Sequence, residues 1–458
     1  MSKEKQAFTL NNKEVYKKLL TVALPIAVQS LVGTSLTLVD NLMVGSLGES
    51  ELNAVGISVQ VYFIHWMVMF GFTSGVSTFI AQLFGTKDFA NIKKATGFAM
   101  TITVSISLLF FVAAMIFSHE ILRIFTRFPE IIDMGVGYVR MGAATFLFVA
   151  ITVPLTAALR ATQQTHIPLF ISVFAFLTNT ILNYIFIFGN FGAPKMGIVG
   201  AALATLIARF LEMSLMIYVV FVRKNIVGGK IKEFFSYKKD FAMGIVKNAI
   251  PTTINETLWG IGTALYVAAF ARVGITEGAA IQACNTINNL FIMAAFSLGD
   301  ATLILVGQKL GEGKLDYAFA LAKKFVKCSL VIGIVFGIGL IICGKPILSL
   351  FDFTPRGADL AFSVLIVYGS TMWMALYNAT NITGVLRCGG DTVFAMLTET
   401  LAVWCIGIPL AFITALGLHW PIYFAVLAVK MEDVVKGIIL TRRFFSKKWA
   451  KNVIKHLS

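Results

Sequence analysis

Stretches of 18 or more nearly uncharged residues recur along this 458-residue chain, and each is long enough for a helix to cross a hydrocarbon core of about 30 Å. In lipid every backbone N–H and C=O must be satisfied within the segment, so such runs fold as helices. Charged residues make up 13% of the chain and hydrophobic residues 57%, whereas soluble domains carry roughly 25% charged residues. A soluble multidomain enzyme is excluded. Apolar windows bounded by charge and turn residues place twelve spans near 19–44, 54–83, 97–117, 135–158, 167–188, 197–222, 241–270, 279–307, 325–343, 360–385, 393–416 and 421–441. No small-residue cleavage site follows the first run, so it is expected to be retained as a span. Five cysteines, with no C-x-x-C pair and no His at ligand spacing, suggest neither a disulfide framework nor a zinc site.

The 38 Lys and Arg exceed the 23 Asp and Glu and give a net charge of +15. In a soluble domain that excess would suggest nucleic acid. Here 28 of the 38 cations lie in the N-terminal tail, at 87–94, at Arg160, in 223–247, in 309–327, at Arg387 and in 442–455, all on one side of the expected spans. By the positive-inside rule that side is cytoplasmic. The charge therefore records topology: a multi-pass protein of the cell (plasma) membrane, both termini cytoplasmic, in contact with membrane lipid and with no nucleic-acid partner. A monomer is expected.

The hydrophilic stretch 223–240 divides the spans six and six. Shifting the chain by 226 residues superposes Ala23 on Ala249, Pro25 on Pro251, Gly48 on Gly274, Gln82 on Gln308 and Gly85 on Gly311. At 227, Gly142, Leu159, Arg160 and Thr165 fall on Gly369, Leu386, Arg387 and Thr392. The expected fold is thus an all-α integral membrane protein of two homologous six-helix bundles, related by a pseudo-two-fold along the membrane normal. Its parts are a tail (1–18), an N-lobe (19–222), a linker (223–240), a C-lobe (241–441) and a second tail (442–458).

The nearest P-loop look-alike, QKLGEGKL at 308–315, lacks the first Gly and the final Ser or Thr, so ATP hydrolysis is not expected. Nor is any catalytic constellation, metal cluster or cofactor motif visible, and the chain does not read as an enzyme. Energy for transport would come from an ion gradient, which calls for ionisable groups inside the membrane. Asp40 lies near the outer end of the first span on a helix face with Gln29, Gly33 and Thr37; it reads either as functional or as a solvated carboxylate at the membrane edge. Asn179 and Asn183 share a face of the fifth span and offer amide oxygens, for an ion or for interhelical bonding. Glu256 sits deep in the seventh span, one turn past Pro251, on a face with Gly260, Thr263 and Tyr266. Asp300 shares a face with Asn285 and Asn289 and could partner Glu256 or a cation. Pro25 and Pro251 are candidate hinges at equivalent points of the two halves. Glu212 with Arg209, Glu399, and Glu432 and Asp433 between Lys430 and Lys436 read as paired charges at an interface.

The runs VDNLMVGSLG at 39–48 and LNAVG at 52–56, QLFG at 82–85, QKLG at 308–311, Leu159-Arg160 and LRCGGDT at 386–392 resemble the signatures of MATE (multidrug and toxic compound extrusion) transporters over essentially the whole chain. The resemblance implies two six-helix lobes and export of cationic or amphipathic organic compounds, by alternating access, in exchange for entering H⁺ or Na⁺. Asp40 matches the N-lobe acid of DinF-like members, with Pro25, Tyr138 and Asn179 matching surrounding positions. The second acid expected on the fifth helix is replaced by Asn183. Glu256 matches a seventh-helix Glu of NorM-like members, whereas their tenth-helix Asp has no counterpart near Ala375 to Asn378; Asp300, or oxygens of Tyr377, Asn378 and Asn381, could stand in. Coupling is thus expected at Asp40, Tyr138, Asn179, Asn183, Glu256 and Asp300, with a possible Na⁺ at Asp40 or Glu256. Substrate would meet Gln29, Thr37, Tyr266, Asn285, Tyr377 and Asn378. A flippase for a lipid or lipid-linked cargo in the same superfamily is the alternative.

Overall fold

The computed structural model describes residues 12–223, 225–349 and 353–455; most of the expected N-terminal tail lies outside them. The described residues form helices and connections, with no strand. In chain order the first are α1 (Asn12–Gly45), α2 (Glu49–Gly85), α3 (Phe89–Ile116), α4 (Ser118–Arg123), α5 (Pro129–Gly142), α6 (Thr145–Ala161), α7 (His166–Phe188) and α8 (Gly197–Ile217). After the linker helix α9 (Ile231–Phe234) come α10 (Lys239–Ala271), α11 (Ile275–Gly311), α12 (Leu315–Leu348), α13 (Pro355–Ala379), α14 (Thr392–Ala402), α15 (Ile408–Phe412), α16 (Ile422–Val429) and α17 (Met431–Phe445). Wider π-helical turns at Tyr218–Val222, Thr380–Leu386, Val403–Gly407 and Ile413–Gly417 prolong α8, α13, α14 and α15.

Local chemistry sets several ends. Asp88 caps α3, accepting from the backbone N–H of Asn91 at 3.1 Å and from its amide at 2.6 Å. Thr354 caps α13 by accepting from Gly357 N–H at 3.2 Å, with Pro355 at the first helical position. Gly189, at φ 76°, ends α7 in the left-handed conformation.

Nine helices among the described residues are long and apolar enough to cross a membrane. The fourth expected span, read as continuous over 135–158, is broken: α5 and α6 meet at a 50° bend. The twelfth, read as 421–441, divides at Lys430 into α16 and α17. In place of the seventh stands α10, whose Asn248, Asn255 and Glu256 dilute its apolarity. Pro25 and Pro251 lie inside α1 and α10, and neither interrupts its helix. Large outward side chains such as Leu109, Phe170 and Ile342 account for much of the apolar composition.

The chain gathers into two compact units, one of residues up to Ala27, Ala81–Lys87 and Ile254 onward, the other of Val28–Ile80 and Asp88–Thr253. The first packs around Phe270, Ile281, Leu365, Met372 and Val426. The second has a core around Val44, Val55, Ile187 and Ile198 and another around Leu122, Val139 and Phe146.

The repeat is visible in the backbone. Lys87 (φ 59°) and Gly313 (φ 74°), 226 residues apart, turn equivalent loops in the left-handed region; Gln163 (φ 63°) and Gly390 (φ 72°), at 227, do the same. The second copy uses glycine at both positions, where it carries no Cβ penalty, and the first does not. The π-turn Thr380–Leu386 distorts the second copy's span, whereas the equivalent stretch of the first copy lies in the regular helix α6.

Candidate functional site

Two polar networks run through the helices, one in each unit. In the unit built from Val28–Ile80 and Asp88–Thr253, Asp40 on α1 is half-buried. The amide of Asn183, on α7, donates to its Oδ1. One turn earlier the Asn179 amide, with nitrogen toward Asp40, donates to the same oxygen at 2.9 Å while its oxygen accepts from the Thr205 hydroxyl at 3.1 Å and N–H at 3.3 Å. Both asparagines are fully buried, and the second oxygen-bearing edge, Asn183 Oδ1, has no hydrogen-bond partner. The four-residue spacing of Asn179 and Asn183 is what lets one helix face meet a single carboxylate. Tyr138, on α5, is buried in the adjacent core, edge-on to Tyr62.

Gln29 stands at the other end of the α1 stripe, with Gly33 and Thr37 exposed between it and Asp40. Its oxygen accepts from Arg160 Nε at 3.2 Å and Nη2 at 2.7 Å, and its nitrogen donates to Ser172 Oγ at 2.9 Å. Ser172 in turn donates to Glu212 at 3.2 Å, which is paired with Arg209 at 2.7 Å. The Arg209–Glu212 pair, expected at an interface, is therefore built into this chain of contacts, with Glu212 buried. Ser172 carries no charge and stands alone in an apolar run, so nothing in the sequence singles it out.

The unit containing Ile254 onward holds the larger network. Glu256 on α10 is paired with the fully buried Arg387 at 2.6 Å. Its neighbour Asn255 donates to Glu399 at 2.7 Å, leaving its own buried oxygen without a partner. Tyr266, three turns on, donates to Glu432 of α17 at 2.5 Å. Lys436 lies between Glu432 at 3.2 Å and Asp433 at 2.9 Å, and Asn378 donates to Asp433 through its backbone carbonyl at 2.8 Å. Glu432, Asp433 and Lys436 are each about 5% exposed. The sequence reads these as paired charges at an interface; they are paired, but although their i, i+3 and i, i+4 spacing is that of a surface pairing pattern they are buried in the unit.

Other sequence candidates are dispersed. Asn285 accepts from Tyr368 at 2.8 Å, and Tyr377 shares a 2.5 Å hydrogen bond with Thr441. Asp300 is half-buried on α11, and the partner that Glu256 engages is Arg387. His65, to which the sequence assigned no role, meets Ser107 at 2.6 Å.

Helical in its described residues, nine of whose helices are long and apolar enough to span a membrane, with an internal repeat and buried charge networks, the chain has the build of a multi-pass membrane protein. The MatE family model matches it twice, over residues 25–185 and 249–413. The chain belongs to this family, the MATE transporters, whose members are not enzymes. The double match also restates the repeat found in the backbone. Among curated relatives, a probable multidrug resistance protein NorM of Thermotoga maritima is 22% identical over 96% of this chain and 94% of its own length. Multidrug resistance protein MdtK of Yersinia enterocolitica is 25% identical over 87% and 88%. Among solved structures, an outward-facing multidrug resistance MATE transporter of the MOP superfamily superposes with a TM-score of 0.85 at 17% identity, covering 95% of this chain and 97% of that one. A Pyrococcus furiosus MOP superfamily transporter, described as having a binding pocket of reversed polarity, reaches 0.84 at 18% identity with the same coverage.

Proposed function

We propose that this protein is a secondary active multidrug efflux antiporter of the plasma membrane, exporting cationic or amphipathic organic compounds in exchange for H⁺ or Na⁺. Its lobes, 19–222 and 241–441, alternate access with both termini cytoplasmic. The observation that carries the reading is the carboxylate of Asp40, placed within a membrane-spanning helix and hydrogen-bonded by two neutral amides. A carboxylate so placed is costly to bury and is retained where its charge state does work. Unloaded, it attracts a cationic substrate; loaded from outside with a proton or sodium ion, it loses that attraction and the substrate leaves. The names of the relatives support the substrate class.

Glu256 plays a different part from Asp40. Its charge is already met by Arg387, so an ion arriving there competes with a fixed guanidinium, and primary coupling falls to Asp40. The test is purified protein in proteoliposomes, with an organic cation as cargo and Na⁺ and pH gradients imposed separately. Efflux should follow one of the two gradients and be lost in Asp40→Asn. Transport by that variant at the parental rate under both gradients overturns the assignment.

A further inference from the structure

The segment after α17 does not leave the protein. The Trp449 ring is fully buried, stacked on Phe444 with its N–H donated to the Phe444 carbonyl at 3.0 Å. Its own carbonyl lies where a Cβ on Gly389 would be 1.8 Å away, so this approach requires glycine at 389. Asp391 then anchors the flanks: Arg443 reaches it at 2.7 Å, and Lys451 stands 4.0 Å off.

From there the segment reaches the end of α2. Gln82 is fully buried, and both the nitrogen and the oxygen of its amide are engaged. The nitrogen donates to Cys388 O at 2.8 Å and Lys451 O at 3.1 Å, and the oxygen accepts from Val453 N–H at 2.8 Å. Asn452 donates to the Gly311 carbonyl at 3.3 Å, beside the α2–α11 crossing at which Gly311 meets the Gln82 carbonyl. All these residues belong to one compact unit, while the rest of α2, up to Ile80, belongs to the other.

The first copy of the repeat provides a comparison. There the trailing linker also folds back on the equivalent loop, where Asn225 and Gln164 exchange bonds of 3.1 and 2.6 Å. Gln164 corresponds to Asp391 at the 227-residue shift. Docking on that loop is therefore common to both copies.

We propose that residues 449–453 form a latch that clasps the last turn of α2, and that this end of the transporter, the side assigned by its cations to the cytoplasm, opens only when Gln82 leaves the latch. The latch is independent of the coupling ion and of the substrate, though its link to turnover rests on the alternating-access reading. A buried amide that makes two hydrogen bonds with one short segment, at Lys451 and Val453, and a third with the neighbouring Cys388 carbonyl makes a two-state contact. Removing the partner leaves peptide groups of residues 451 and 453 unsatisfied, so partial release is unfavourable.

Two experiments on the full chain test it. Hydrogen–deuterium exchange of Gln82→Leu, a substitution of similar volume without the amide, should show exchange over 450–454 at least about tenfold faster than in the parent while the Trp449 region stays protected. Unchanged exchange overturns the latch whether or not the protein transports. In a background with the five native cysteines replaced, Gln82→Cys with Val453→Cys, bridged by a short bis-methanethiosulfonate reagent, should cut transport in proteoliposomes at least about tenfold, reversibly with reductant, because a gating step sets turnover. Failure of the pair to bridge contradicts the geometry, and a bridged protein that transports like its reduced form overturns the gating role. If the reduced form itself moves no cargo, the reading of function fails and the exchange result stands apart from it.

Discussion

Arg387 and Glu256 pair at 2.6 Å across 131 residues of sequence, and Arg160 and Gln29 do the same in the first half at 2.7 Å and the same separation of 131. Arg160 and Arg387 are repeat equivalents at a shift of 227, whereas at the shift of 226 that aligns the first helix of each half Gln29 falls on Asn255, the neighbour of Glu256. Equivalent arginines are therefore held from neighbouring helix positions in two electrical forms: an ion pair in the second half and a cation bonded to a neutral amide in the first. The first half keeps Asp40 as a carboxylate bonded to amides, whereas the second holds Glu256 against a built-in counterion.

That contrast gives a double-mutant cycle. Arg387→Met alone leaves a buried carboxylate without its partner, which costs about 3–5 kcal/mol, and the same holds for Glu256→Leu in the opposite sense. The double variant should lose less than the sum of the two single losses, by a coupling energy of about 0.5–3 kcal/mol. Thermal unfolding in detergent measures all four corners; strictly additive losses would show that the pair does not act as one.

Restoring a second acid beside Asp40 should change ion preference. In Asn183→Asp two carboxylates face each other where an amide now donates, and at an effective dielectric of 20 two charges 4 Å apart interact by about 4 kcal/mol. A bound cation relieves that repulsion. Sodium binding, followed by calorimetry or Na⁺ stabilisation of the fold, should tighten at least about tenfold, equivalent to about 1.4 kcal/mol.

The crossing of α2 and α11 tolerates no side chain. A Cβ at Gly85 would lie 2.1 Å from the Gln308 carbonyl oxygen, and one at Gly311 would lie 2.0 Å from that of Gln82. These obstacles are backbone and cannot rotate away. Gly85→Ala and Gly311→Ala should each lower stability by about 1–3 kcal/mol through overpacking, read as a fall in midpoint of unfolding, while Gly33→Ala, with nothing within 4 Å of the added atom, should be near neutral.

Lys436 is the sole cation within 3.5 Å of both Glu432 and Asp433 among the described contacts. Lys436→Met should destabilise the protein by about 3–5 kcal/mol, as the buried Glu432 loses its Lys436 partner and Asp433 keeps only Lys430 at 3.5 Å. Tyr266→Phe, which removes a hydrogen bond to a charged group, should cost about 1.5–3 kcal/mol. Equal thermal midpoints for Lys436→Met and the parent would exclude a compensating role.

The helical class and the doubling were legible because lipid imposes them locally: apolar length, cation placement and the recurrence of Pro, Gln, Gly and Arg are all properties of the linear sequence. Asn183 could also be placed near Asp40, through the family's pattern. The partners of Arg160 and Arg387 were not legible, since a contact 131 residues away leaves no local mark and both arginines were counted among loop cations. The burial of the charges on α17 was hidden for another reason. Glu432, Asp433 and Lys436 have the spacing of a solvated face, and what covers them, Tyr266 of α10 and Asn378 of α13, is remote in sequence. The bend between α5 and α6 escaped similarly, because hydropathy averages over the junction.

Each compact unit borrows from the opposite half of the sequence: the end of α2, 81–87, is built into the unit of the second copy, and the beginning of α10, up to Thr253, into that of the first. A chain cut in the linker between them would yield two fragments, neither containing a whole unit. Separately expressed halves should therefore be recovered only when produced together. A half-length ancestor, before gene duplication, could have completed its fold only by trading those same helix ends with a second molecule.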